Sequence, residues 1–220
     1  MGPAPPDDAH LVFIHGLWMS GAESRLFRRR LEQHHGFRTE VFRYPTTREP
    51  LAGVLERLHR EVRALGARTL HFVGHSLGGV IALRYLEAHH AETPPGRVVL
   101  LGSPVQGSLA ATRLDGFGFG LGRSMVGPLV VDELVGRQER RWTGSRELGV
   151  IAGDQPIGLG RFVAMFDEPN DGTVAVAETR LDGAADRIVL PVSHLGMLLS
   201  LRVADECAAF LRSGHFGIRP

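Results

Sequence analysis

A serine hydroxyl becomes a useful nucleophile only when a base takes its proton. A histidine serves as that base when a carboxylate holds its tautomer and stabilises its cation. Ser76 lies in Gly74-His75-Ser76-Leu77-Gly78-Gly79, and the only histidines after residue 90 are His194 and the glycine-flanked His215. His194 follows the apolar run Ile188 to Val192 and is the candidate base; His215, in a tail, is the poorer one. Two aspartates compete for the third role. Asp154 directly follows the apolar run that ends at Gly153, a position where open α/β sheets present ligand-facing residues. Asp171 sits in Asn170-Asp171-Gly172-Thr173-Val174, and residue pattern alone leaves both open, whereas Asp167, Glu168 and Asp182 read as loop charges. The chemistry such a set performs is acyl transfer, with water as the expected acceptor.

Three elements must position these groups. Leu70, Phe72 and Val73 suit a buried strand, Gly74, Gly78 and Gly79 let that strand and a following helix cross closely, and Ser76 then stands on an exposed tip before the helix. There the helix dipole favours negative charge and the Leu77 N–H is available to an oxyanion. A glycine-x-serine-x-glycine pattern is weak alone, but the strand before it and the helical pattern after it make it specific.

The rest of the chain supplies the scaffold. Leu11 to Ile14 is continuously apolar, as a strand buried on both faces must be, and it ends in His15-Gly16-Leu17-Trp18. His15 reads as a structural hydrogen-bonding group, and Trp18 and Met19 as the border of an acyl pocket. An arginine-rich helix is predicted over 21–35, with Leu26, Phe27 and Leu31 inward and Gly36 as its stop. A short strand follows over Thr39 to Tyr44. From Pro50 to Gly66 the residues Leu51, Val54, Leu55, Leu58, Val62 and Leu65 recur at helical spacing. Further strands are predicted over Arg97–Leu101, Glu147–Gly153 and Arg187–Val192, and a closing helix over about 200–211. Six strands alternating with helices argue for one α/β domain over residues 10–215, a mainly parallel sheet with helices on both faces.

Residues 109–146 break the alternation. Glycines alternate with Phe117, Phe119 and Leu121, and Met125, Val126, Leu129, Val130 and Leu134 follow at roughly helical spacing. Such an excursion between core strands is read as a cap or lid over the site, with the aromatic ribbon swinging over the acyl group.

Composition excludes several classes. At 220 residues, 43% apolar, 22% charged and net +1, the chain is expected to be one soluble globular domain with no field to attract nucleic acid. Every basic residue is arginine, so no lysine is present as nucleophile, base or Schiff-base former. Cys207 stands alone at helical spacing from Val203, Phe210 and Leu211, a buried hydrophobe by pattern, and it leaves no internal disulfide. Residues 1–9, rich in Pro and Asp, read as a flexible lead-in. They lack the basic and apolar regions of a secretory signal, and no 18-residue apolar run exists, so the expectation is cytoplasmic with no membrane span. His34-His35 and His89-His90 end two helices, but adjacent helical residues point to different sides, so neither pair is read as a metal site.

The elbow Gly-His-Ser-Leu-Gly-Gly resembles that of bacterial lipases and esterases of the α/β-hydrolase superfamily. So, approximately, does Gly102-Ser103-Pro104-Val105-Gln106-Gly107-Ser108, as do Asn170 to Val174 and Val192 to Ser200. The resemblance implies a minimal α/β-hydrolase fold and favours Asp171 over Asp154 as the acid beside His194. It also implies that the Leu17 amide, after the His-Gly pair, joins that of Leu77 in an oxyanion hole. The apolar rim of Leu17, Trp18, Met19 and Leu195 points to an uncharged small-molecule ester with an apolar acyl group, and no metal or organic cofactor is required. Thioester cleavage or acyl transfer to an alcohol would use the same groups. A non-catalytic lipid- or protein-binding scaffold would have no use for an intact triad.

Overall fold

The computed structural model describes residues 9–118, 121–157 and 166–217. Residues 1–8 of the lead-in, and Phe119 and Gly120 of the ribbon, lie outside the described residues; Ala9 already belongs to the first strand. The strands are β1 (Ala9–Ile14), β2 (Arg38–Phe42), β3 (Thr69–His75), β4 (Val98–Leu101), β5 (Leu148–Gly153) and β6 (Asp186–Leu190). They form one six-stranded sheet in the order β2-β1-β3-β4-β5-β6, and every neighbouring pair is parallel. The order reverses between β1 and β3. At such a switch point the loops leaving the two strands diverge and open a crevice at their carboxyl ends.

Side chains alternate across the sheet, and each face meets helices. Val12, Ile14, Leu70, Phe72, Val98 and Leu100 pack against α2 (Leu51–Ala64) and α3 (Leu77–His89). Leu11, Phe13, Val73, Val99 and Leu101 pack against α1 (Arg25–His35) and the closing helix α7 (Leu201–Ser213). With both faces covered, these strands are apolar at consecutive positions, and each fully buried aliphatic or Phe side chain contributes about 1.5–3 kcal/mol.

On α1 the inward face is Phe27 and Leu31, with Ser24 buried just before it. Leu26, expected inside, is 45% exposed because it lies one residue, about 100° of helix, off the Phe27 stripe. The Arg30 guanidinium grips Asp205 of α7 with two hydrogen bonds of 2.8 and 3.0 Å, and His35 Nε2 lies 2.6 Å from the same carboxylate. His35 thus joins two helices. Cys207 is fully buried on α7, as its spacing predicts.

Residues 109–146 fold as α4 (Leu109–Asp115), α5 (Leu121–Val126) and α6 (Pro128–Leu134), followed by an irregular return to β5. Ser108 caps α4, its hydroxyl accepting from the Ala111 N–H at 3.1 Å. Gly127, at φ 81°, separates α5 from α6 where the Thr47 backbone leaves no room for a Cβ. Among the described residues no helix is long and apolar enough to cross a membrane.

Candidate active site

Ser76 has φ 55° and ψ −126°, a backbone conformation that L-residues adopt at a cost of about 1–3 kcal/mol. The tip is held on both sides: the Ser76 N–H donates to the Leu101 carbonyl at 2.9 Å, and the Gly79 N–H donates to the Ser76 carbonyl at 3.0 Å. The glycines are required by contact. A Cβ on Gly74 would strike the backbone of Gly78 and Gly79, one on Gly78 the Ile14 carbonyl, and one on Gly79 the Ser103 side chain. Gly78→Ala is therefore expected to cost about 1–3 kcal/mol, read as a Tm lower by several degrees, because α3 must back away from β1. A Gly78→Ala protein as stable as the wild type would refute this close-crossing account.

His194 lies in the loop after β6 and is buried, and its Nδ1 is 2.7 Å from Asp171 Oδ2. Asp171 is 1% exposed, yet its carboxylate is well served. Oδ1 accepts from the Thr173 N–H at 2.9 Å and the Val174 N–H at 2.7 Å, leaving Oδ2 for the imidazole. The two residues are also tied through the backbone, the His194 N–H donating to the Asp171 carbonyl at 2.9 Å. Gly102, at φ 53°, packs against both, and a Cβ there would stand 3.0 Å from Asp171 Oδ2 and 3.2 Å from His194 Nδ1. Asp154, the rival carboxylate, is exposed at the end of β5.

Two further histidines frame the site. His75 is fully buried, its Nε2–H donates to the His194 carbonyl at 3.0 Å, and burial, helped by His194 nearby, lowers its pKa to about 3. It is a neutral buttress under the His194 loop. Sequence reading passed over it, although it stands inside the elbow motif. His15 is also pushed down by burial; its Nδ1–H donates to the Gly16 carbonyl at 3.0 Å and its ring stacks on Tyr44 at 4.6 Å. The structural reading of His15 is the one its contacts support.

The loop after β1 runs beside the serine, and a Cβ on Gly16 would lie 3.0 Å from Ser76 Cβ. Trp18 takes φ 57° here. Its backbone N–H donates to Thr46 Oγ1 at 3.2 Å and its indole N–H to the Met125 carbonyl of α5 at 3.1 Å, so the loop is pinned from both sides.

Ser76 and His194 open onto one cavity of about 310 Å³. Leu17, Trp18, Met19, Leu77 and Leu195, all singled out from sequence, line it. The far wall is Ala110, Ala111 and Leu114 of α4, Val126 of α5, and Val130 and Leu134 of α6. Here the expectation needs correcting. Phe117, Leu121 and Met125 are 64%, 60% and 48% exposed and none lines the cavity; the aliphatic inner faces of the three helices do. Short helices packed on each other turn one stripe inward, and Phe117 and Leu121 fall outside it. Pro104 and Ser108, from the segment after β4, and Ile157, Thr173 and Val174 complete the lining; nothing in sequence marked the last three beyond the Asp171 segment.

The family model described as "Alpha/beta hydrolase family" matches residues 11–216. Among solved structures, a mature lipase of Bacillus licheniformis superposes with a TM-score of 0.71 at 19% identity, covering 94% of this chain and 92% of that one. A metagenomic carboxyl esterase gives 0.62 at 20% identity over 87% of this chain and 66% of its own. A thioesterase of the prodiginine pathway of Streptomyces coelicolor gives 0.60 at 14% identity over 97% and 89%. At such identities the likeness is one of fold. No curated protein sequence matches the chain.

Proposed function

The chain belongs to the alpha/beta hydrolase family, and from that premise we propose that it is a serine hydrolase cleaving an uncharged carboxylic ester with a modest apolar acyl group. One observation carries this reading. A serine on a positive-φ elbow and a histidine bonded to a buried aspartate share a single apolar cavity. Ser76 Oγ attacks the ester carbonyl while His194 Nε2 takes its proton, and Asp171 holds Nδ1 protonated and stabilises the imidazolium. The Leu17 and Leu77 N–H groups receive the oxyanion, aided by the N-terminus of α3. Collapse expels the alcohol, protonated by His194. Water, deprotonated by the same imidazole, then cleaves the acyl-serine and releases the acid.

The cavity sits at the small end of the ~300–1,000 Å³ that ligand pockets span, which favours one acyl chain over a bulky triester. In this reading α4 to α6 form the acyl wall of a cap. A p-nitrophenyl ester series of rising chain length tests it, with acyl thioesters run in parallel to compare leaving groups. Each buried methylene is worth up to ~0.8 kcal/mol, so kcat/KM is expected to climb several-fold per two carbons and then level off when the cavity is full. Ala111→Leu, which fills part of the cavity from α4, should move that plateau to shorter esters and leave acetate nearly unchanged. A flat profile in both proteins would remove the acyl wall. No turnover and no fluorophosphonate labelling would remove the hydrolase reading itself.

A further inference from the structure

Far from the cavity, at the opposite end of α3, three potential ligand groups converge. His59 of α2, His89 in the last turn of α3, and Glu92 in the short turn after it bring one donor atom each to within 4.8 Å of one another. From Ser76 the site is about 20 Å away by helical rise. We propose that His59, His89 and Glu92 form a binding site for a divalent transition-metal ion of the zinc class, clamping α2 to the C-terminal end of α3.

The spacing fits a shared ion. His59 Nε2 stands 3.5 Å from Glu92 Oε2, and His89 Nδ1 stands 3.9 Å from Glu92 Oε1. These are longer than good hydrogen bonds. They approach the ~3.4 Å separating two ligands that share a tetrahedral ion at ~2.1 Å each. The His59 ring has a partner behind it: Nδ1 lies 3.2 Å from the Tyr85 hydroxyl. In the tautomer whose Nδ1–H donates to Tyr85, Nε2 turns its lone pair toward Glu92, the outer support that metal-bound histidines ordinarily have. The field at the C-terminal end of α3, whose last residue is His89, also favours a cation there. Two imidazoles and a carboxylate suit zinc, cobalt or nickel, with water in the open position.

Two features oppose binding. The His59 and His89 rings lie nearly parallel with centroids 4.2 Å apart, so His89 must rotate out of the stack to aim its lone pair, which its 24% side-chain exposure permits. Arg63 stands 3.6 Å from Glu92 Oε2 and competes for the carboxylate.

The test is titration of the untagged, chelator-treated protein with Zn²⁺ against a chromophoric chelator, and with Co²⁺ read by visible absorption. The expected result is one ion per chain, with the strong absorption of four-coordinate Co²⁺. Affinity should fall about tenfold or more in His59→Gln and in His89→Gln, and about tenfold in Tyr85→Phe, which keeps the packing but removes the outer partner. Arg63→Gln should bind more tightly than wild type. Far-UV circular dichroism checks that each variant is folded. Uptake by the wild type no tighter than by a folded His59→Gln, His89→Gln double variant would overturn the site. So would binding by Arg63→Gln no tighter than by the wild type together with no loss in Tyr85→Phe.

Discussion

Replacing Ser76 with alanine is expected to abolish ester turnover and fluorophosphonate labelling together, with a rate loss of about 10⁶-fold. The size follows from what remains. Without the hydroxyl there is no atom to carry the acyl group, and only cavity binding and the oxyanion amides still act on the substrate. Those contributions leave a residual rate over water rather than turnover. The variant also has a signature in stability. Alanine must keep the φ 55° that the Leu101 and Gly79 hydrogen bonds impose, so removal of the hydroxyl relieves no backbone strain and the fold should survive intact. A Ser76→Ala protein that is still labelled at the site would require a different nucleophile.

For Asp171→Asn the expected loss is up to ~10⁴ in kcat with the fold retained. Asparagine reproduces the shape of the carboxylate, and its carbonyl oxygen can accept the Thr173 and Val174 N–H groups that now bond Oδ1. Its NH₂ then faces His194 Nδ1, across the 2.7 Å now spanned by a hydrogen bond to the carboxylate. An amide donor there selects the tautomer protonated on Nε2, which cannot take the serine proton, and no charge remains to stabilise imidazolium. Asp154→Asn changes an exposed side chain at the end of β5 and should cost little. Steady-state kinetics on the two variants decides between the carboxylates, and the opposite ranking would reassign the acid.

Much of the architecture could be read from residue order because parallel strands buried on both faces are apolar throughout. Leu11 to Ile14, Leu70 to Val73 and Val98 to Leu101 announce themselves, and Gly74, Gly78 and Gly79 mark where β3 and α3 must touch. The pairing of Asp171 with His194 was harder, since a loop and a strand end meet only when β5 and β6 lie side by side. The cavity wall was misread in detail. Phe117 and Leu121 looked like the cavity's natural covering, but which stripe of a short helix faces inward depends on its neighbours, and α4, α5 and α6 choose Leu114, Val126, Val130 and Leu134. Likewise His89 seemed idle beside His90, because its nearest imidazole belongs to His59, on another helix and thirty residues earlier. His75 was hidden by its fame as a motif residue; only burial and its bond to the His194 carbonyl show it bearing load.

The ties on His194 also bear on the order in which the chain acquires its properties. Its loop is held by Asp171, 23 residues earlier across β6, and by His75, 119 residues earlier across β4, β5 and β6. Contacts of such long sequence separation form late, because the entropy of closing the loops is lost before they return anything. Ser76, by contrast, sits in a local strand-turn-helix unit that can take shape as soon as β1 is beside it. A nascent or partly refolded chain would therefore carry its serine long before the imidazole proposed to activate it, and is expected to remain chemically silent until the last strand and α7 have closed. During refolding, the rate at which a fluorophosphonate becomes able to label the protein is then a clock for completion of the sheet, slower than the recovery of helical circular dichroism from the same sample.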